Sequence, residues 1–189
     1  MEKLSKVVRM LAVGFIVAAL PLRAAAATED QLIKDLDSSN AGVVTSALLK
    51  LEKEYPTSTK AFPVMKKLLT DKRDKVRRKA ARVLGVLHAE VSDADIKAIV
   101  AMLKASDPQE VMDGLKALRG LKAAQTVPDI LPLLKSKTPN VVRDACRTLA
   151  EHGGKEIILS IEPLLSHPSA AVKADAQDAI HKLRTKSGS

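Results

Sequence analysis

Six cations, Lys72, Arg73, Lys75, Arg78, Lys79 and Arg82, crowd into the stretch "DKRDKVRRKAAR". Side chains of this type at this density hold carboxylates, phosphates or sulfates. From Lys66 to Arg82 there are nine basic residues against two acids, Asp71 and Asp74. The whole chain of 189 residues carries 31 Lys and Arg against 22 acids, a formal charge of +9. Without residues 1–26 the balance is 27 against 21, so nearly all the excess charge sits in this one stretch. On a helix, Lys75, Arg78, Lys79 and Arg82 fall at i, i+3, i+4 and i+7 and share one side. Two uses compete for such a stripe: a solvated face, and a seat for an anionic partner.

Catalytic patterns are missing. The histidines (His88, His152, His167 and His181) are far apart in sequence and fall at expected helix ends or turns, as solvated residues would. No HExxH, CxxC, glycine-rich phosphate loop or GxSxG motif occurs. The chain is therefore expected to be non-enzymatic and to need neither cofactor nor metal. Asp113 and Asp144 fall at equivalent places in the repeat described below, and are expected to be solvated rather than a catalytic carboxylate pair. Aromatics are 2% of the chain (Phe15, Tyr55 and Phe62), which removes the stacking platform that single-stranded nucleic acid needs.

A scaffold must position these residues, and its period is legible. Val44, Val76, Val111, Val142 and Val172 serve as anchors about thirty residues apart. Eight positions before each stand Leu36, Leu68, Leu103, Leu134 and Leu164; eleven before stand Ile33, Met65, Val100, Leu131 and Ile161. Four after come Leu48, Ala80, Leu115, Cys146 and Ala176; seven after come Leu51, Val83, Leu118, Leu149 and Ala179. All 25 positions are apolar in a chain that is 46% apolar. Offsets 0, +4 and +7 mark one face of a helix, and −11 and −8 one face of another. Each unit is thus a helical hairpin that buries its apolar face only against its neighbours. The single cysteine, Cys146, lies in a core column and is expected to be buried and unpaired.

Helices are expected at 29–37 and 41–55, 60–70 and 74–88, 94–105 and 108–122, 127–136 and 139–152, and 156–166 and 169–184. Asp107, Pro108 and Glu110 read as an N-cap, a first-turn proline and a capping box; Thr138 and Pro139 repeat the first two. Pro63, Pro128, Pro132 and Pro163 fall in or before first helices, where they start or bend them. Gly153-Gly154 marks an exit from a second helix.

The stretch "VRRKAARVLG" (Val76 to Gly85) resembles the second helix of HEAT repeats, in the short bacterial form also seen in phycobilisome lyases. "TVPDILPLLKS" resembles their first helix. The resemblance covers about residues 29–185, and the second and fourth units match it best; Thr45 and Met112 stand where the family prefers arginine. It implies an all-α fold, an α-solenoid forming a right-handed superhelix of about five hairpins (29–55, 60–88, 94–122, 127–152 and 156–184). It also implies that Arg77, and less closely Arg143 and Lys173, pair with a turn acid of their own or the adjacent repeat, Arg77 with Asp74. The remaining cations of the stripe are not demanded by the repeat. The function expected is a scaffold or adaptor that binds a protein partner on its concave helix face. The alternative is electrostatic docking of the basic second repeat on anionic lipid headgroups or an acidic polymer, and nucleic acid is disfavoured.

The N-terminus carries its own pattern: a basic opening (Lys3, Lys6, Arg9), the apolar run "LAVGFIVAAL" and the small residues Ala24-Ala25-Ala26. An apolar core of about ten residues is half of what a spanning helix needs. Residues 1–26 are expected to be a cleavable Sec signal, cut near Ala26 or Ala27, with residues 27–189 forming the repeat domain. No cysteine stands at the cut and no Arg-Arg pair precedes it, so neither a lipoprotein nor twin-arginine export is indicated. The location expected is the periplasm; the alternative is anchoring to the inner membrane by an uncleaved segment.

Overall fold

A computed structural model describes residues 27–186. The expected signal segment, 1–26, lies outside the described residues. Among the described residues ten α-helices follow one another, long and short in alternation, and no strand occurs. The second helices are α2 (Ala41–Glu54), α4 (Asp74–Val86), α6 (Pro108–Gly120), α8 (Pro139–His152) and α10 (Ala170–Thr185). The first helices are shorter: α1 (Glu29–Asp35), α3 (Phe62–Lys67), α5 (Asp93–Met102), α7 (Val127–Ile130) and α9 (Ile158–Ile161). The second helices pack in series, α2 on α4, α4 on α6, α6 on α8 and α8 on α10. The result is an α-solenoid.

The core columns explain the stacking. The −8, 0, +4 and +7 positions are all buried, and Val44, Val76, Ala80, Leu115, Cys146 and Ala176 have no exposed surface. At −11 the register drifts: Met65 and Ile161 are buried, whereas Leu32, Ile99 and Ile130, one residue earlier, hold that place in the other units. Three of the first helices end in tight 3₁₀ turns, Leu68–Thr70, Leu131–Lys135 and Glu162–Ser166. In the last two, Pro132 and Pro163 lack the amide that would continue an α-helix and crowd the carbonyl four residues back. Burial pushes the Cys146 thiol up to about 12, so it stays protonated and inert at neutral pH.

The caps differ from expectation in two places. Asp107 caps α6 by accepting from the Gln109 amide at 2.9 Å, with Pro108 at the first turn. Glu110 closes no capping box, because Arg77 of the preceding repeat takes its carboxylate. Thr138 precedes α8 in extended conformation without a side-chain cap bond. The capping box stands at α5 instead, between Ser92 and Asp95. Two helices end on left-handed residues that are not glycine: His88 (φ 50°) after α4 and Lys122 (φ 54°) after α6. Each costs about 1 kcal/mol. The closing bonds, Ala89 amide to Leu84 carbonyl and Ala123 amide to Leu118 carbonyl, wrap both ends in the same way.

Leu134→Asp places an unpaired carboxylate in the core between repeats. It is expected to cost about 3 kcal/mol or more and to blunt cooperative unfolding, measured by thermal and urea melts followed by circular dichroism.

Candidate functional site

The basic stripe lies along α4, and the structure divides its six cations. Arg73 sits in the turn before the helix, where its guanidinium chelates Asp71 through Nε (2.8 Å) and Nη2 (2.7 Å). Its Nη1 donates to the carbonyls of Ser38 (3.0 Å) and Ser39 (2.8 Å), tying the second repeat to the turn of the first. The Arg73 hydrogen bonds hold the Asp71 carboxyl down at about 2. Arg78 reaches forward to the third repeat, donating from Nε to Asp113 (2.8 Å) and from Nη1 to Asp107 (3.0 Å). Lys72, Lys75, Lys79 and Arg82 make no hydrogen bond or ion pair among the described residues. Lys72, Lys75 and Arg82 are exposed and Lys79 is half-buried.

Arg77 donates to its own turn acid, Asp74, at 2.6 Å, and to Glu110 of the next repeat at 2.9 Å. Arg143 likewise reaches Asp175 of the following repeat at 2.6 Å, joined there by Arg147 at 2.9 Å. Lys173 forms no such pair among the described residues. The second helices are thus laced by ion pairs in which a cation of one repeat covers an acid of the next. Asp113 and Asp144 belong to this lacing and are buried, not solvated. A buried carboxylate is tolerated only beside a positive partner, so each acid must sit beneath a base. Asp144 faces three: Lys116 (3.7 Å), Arg119 (3.9 Å) and Arg147 (4.0 Å).

Two histidines also bridge repeats, where solvated residues were expected. His88 Nδ1 lies 2.7 Å from the Gly120 carbonyl, and His152 Nε2 lies 3.1 Å from that of Leu118. A carbonyl only accepts, so each ring nitrogen carries the proton. His152 is half-buried, and desolvation moves its pKa below the usual imidazole value. His167 Nδ1 accepts from the Ser169 amide at 3.0 Å, and His181 is exposed.

Arg82 joins two concavities. One, about 370 Å³, runs between α2, α4 and α6 and is lined by Lys75, Arg78 and Lys79 with Thr45, Gln109 and Asp113. The other, about 790 Å³, lies over the C-terminal ends of α4, α6 and α8. Lys116, Arg119 and Lys122 line it with Arg82, over a floor that includes Gly85, Val86, Gly120 and Ala124. Its one acid, Glu151, is bonded to Lys182 of the last repeat. Lys116, Arg119 and Lys122 were not singled out from sequence. The signal was there, since "GLKALRGLKAA" holds three cations and no acid. Among the described residues no group of three or more His, Cys, Asp or Glu is placed to hold a metal, and no helix is long and apolar enough to cross a membrane.

No protein-family model matches the sequence, and no curated protein matches it. Solved structures do. The complex of CpcE and CpcF of phycocyanin lyase from Nostoc sp. aligns with a TM-score of 0.72 at 23% identity, over 84% of this chain and 65% of that one. The chain thus spans just under two thirds of that neighbour's length. A designed armadillo repeat protein in complex with the peptide (KR)4 aligns at 0.64 and 17% identity, over 81% of this chain and 80% of that one. An engineered protein aligns at 0.62 and 21% identity, over 84% and 80%. At these identities the likeness is one of fold, that of helical-repeat solenoids.

Two outcomes follow from the partition of charges. Replacing Lys75, Lys79 and Arg82 together by Gln is expected to leave the melting midpoint nearly unchanged, whereas Arg78→Gln alone lowers it, because that change strands buried Asp113. For His152, the depressed pKa means that the unfolded chain binds its proton more tightly. Stability is then full above the unfolded value near 6.5 and falls as the pH drops below it. His152→Gln is expected to flatten that loss in urea melts taken across the interval.

Proposed function

We propose that this chain is a non-enzymatic scaffold or adaptor whose stacked second helices bind a protein partner. The observation that carries the reading is the pair of adjoining concavities on the second helices, about 370 and 790 Å³, whose lining includes four cations without an ion pair among the described residues, Lys75, Lys79, Arg82 and Lys122. A solenoid offers a long continuous face of this kind. A neighbour of the same architecture was solved with a peptide bound, which supports peptide or protein as the ligand class. The leader-like residues 1–26 support export by the Sec route to the periplasm, with the partner met there.

A second reading rests on Lys72, Lys75, Lys79 and Arg82. Uncommitted cations near anionic headgroups contribute about 1 kcal/mol each, so the basic second repeat would dock on a membrane surface or an acidic polymer.

One experiment separates the readings. Photoreactive residues are placed in living cells at exposed positions on or just past the second helices (Lys75, Arg82, Lys122) and, as a control, at Leu159 on a first helix. The scaffold reading expects a discrete protein adduct, recurring across second-helix positions and absent from the control, on a mature chain beginning near residue 27 in the periplasmic fraction. Absence of adducts, together with salt-sensitive sedimentation on phosphatidylglycerol vesicles, would replace it with membrane docking. A full-length chain in the membrane fraction would contradict the cleaved, periplasmic form.

A further inference from the structure

The larger groove has a sign, and the sign specifies an occupant. Four cations stand around it, Arg82 from α4 and Lys116, Arg119 and Lys122 from α6 and its exit. Charges inside the fold cancel them only in part. Arg82 and Lys122 have no ion pair among the described residues. Lys116 and Arg119 share the single carboxylate of Asp144 with Arg147, at separations beyond hydrogen-bond length. The one rim acid, Glu151, is taken by Lys182. A cluster of like charge around a concavity focuses its field on whatever enters.

Between the cations the surface is small and apolar, with Gly85 and Gly120 on the floor and the half-exposed Val86 beside them. Lys122 holds its cation at the rim in a left-handed conformation that glycine would adopt at less cost. Local strain of this kind accumulates where binding residues are displayed.

Resting on the scaffold reading above, we propose that this groove binds an acidic linear segment of a protein partner. Carboxylates pair with Arg82, Lys116, Arg119 and Lys122, and intervening small apolar side chains seat on the Gly85–Gly120 floor. A membrane is flat and cannot place headgroups around a concave wall without leaving the apolar floor bare. Nucleic acid would call for stacking aromatics, and neither concavity is lined by Phe, Tyr or Trp.

The test uses the mature chain and a fluorescein-labelled octapeptide, Glu-Leu-Glu-Ala-Glu-Leu-Glu-Ala, read by anisotropy, beside the same peptide with Lys for every Glu. The acidic peptide is expected to bind about tenfold or more tighter than the basic one and to weaken as salt rises. Arg82→Glu and Lys122→Glu are each expected to cost about fivefold or more in affinity. Both residues are exposed and unpaired, so melting is expected to be unchanged; if either variant unfolds, Arg82→Gln and Lys122→Asn carry the same comparison with a smaller loss. Equal binding of the two peptides would overturn the proposal, as would affinity that survives both substitutions in folded protein. Binding to phosphatidylglycerol vesicles without binding to the acidic peptide would overturn it in favour of a lipid surface. If the peptide fails while second-helix crosslinks to a protein persist, the acidic-segment assignment falls and the scaffold reading stands.

Discussion

Helices α4 and α6 meet with no room for a side chain between them. A Cβ on Gly120 would stand 2.2 Å from the Gly85 carbonyl oxygen, and one on Gly85 would stand 2.8 Å from the Ala117 Cα. Backbone against backbone is the closest approach two helices can make, and it fixes the geometry around it. The first consequence is that Arg78 of α4 lies within direct reach of Asp113 of α6, at 2.8 Å. The second is that side chains flanking the contact must splay to either side. Those on one side become the walls of the larger groove, with the two glycines in its floor.

Electrostatics then decides which cations are consumed. Removing one partner of a buried ion pair costs about 3–5 kcal/mol, whereas an exposed pair contributes about 0–1 kcal/mol. Glu110, Asp113 and Asp144 are buried and so must be covered. Each takes cations from a neighbouring repeat: Arg77 covers Glu110, Arg78 covers Asp113, and Lys116 and Arg119 cover Asp144. No buried acid calls on Arg82, Lys75 or Lys79. The positive surface left over is a remainder of the structural requirement, and it collects where the groove opens.

The fold was legible because its signal is a repeated set of positions, and stacking makes those positions the core. Leu36, Leu68, Leu103, Leu134 and Leu164 are buried at the same step of every unit. First-helix register was less legible, because these helices are short and in three units the buried residue, Leu32, Ile99 or Ile130, sits one position before the repeated column. The site was legible only in part. Arg73 and Arg78 read as spare cations because their partners are invisible locally: Ser38 and Ser39 lie some thirty-five residues back, and Asp107 and Asp113 about thirty ahead. Glu110 read as a capping residue for the same reason, since Arg77 enters from another repeat. Lys116, Arg119 and Lys122 escaped notice because only the stacking of α4, α6 and α8 sets them beside Arg82.

Some cations of the basic stripe are bound into the fold while their neighbours are free for a partner. A double-mutant cycle on Arg78 and Asp113, run by urea denaturation beside a cycle on Lys79 and Asp113, measures that division directly. A coupling of about 1 kcal/mol or more is expected for the first pair and close to zero for the second. No coupling between Arg78 and Asp113, or equal coupling in both cycles, would contradict it.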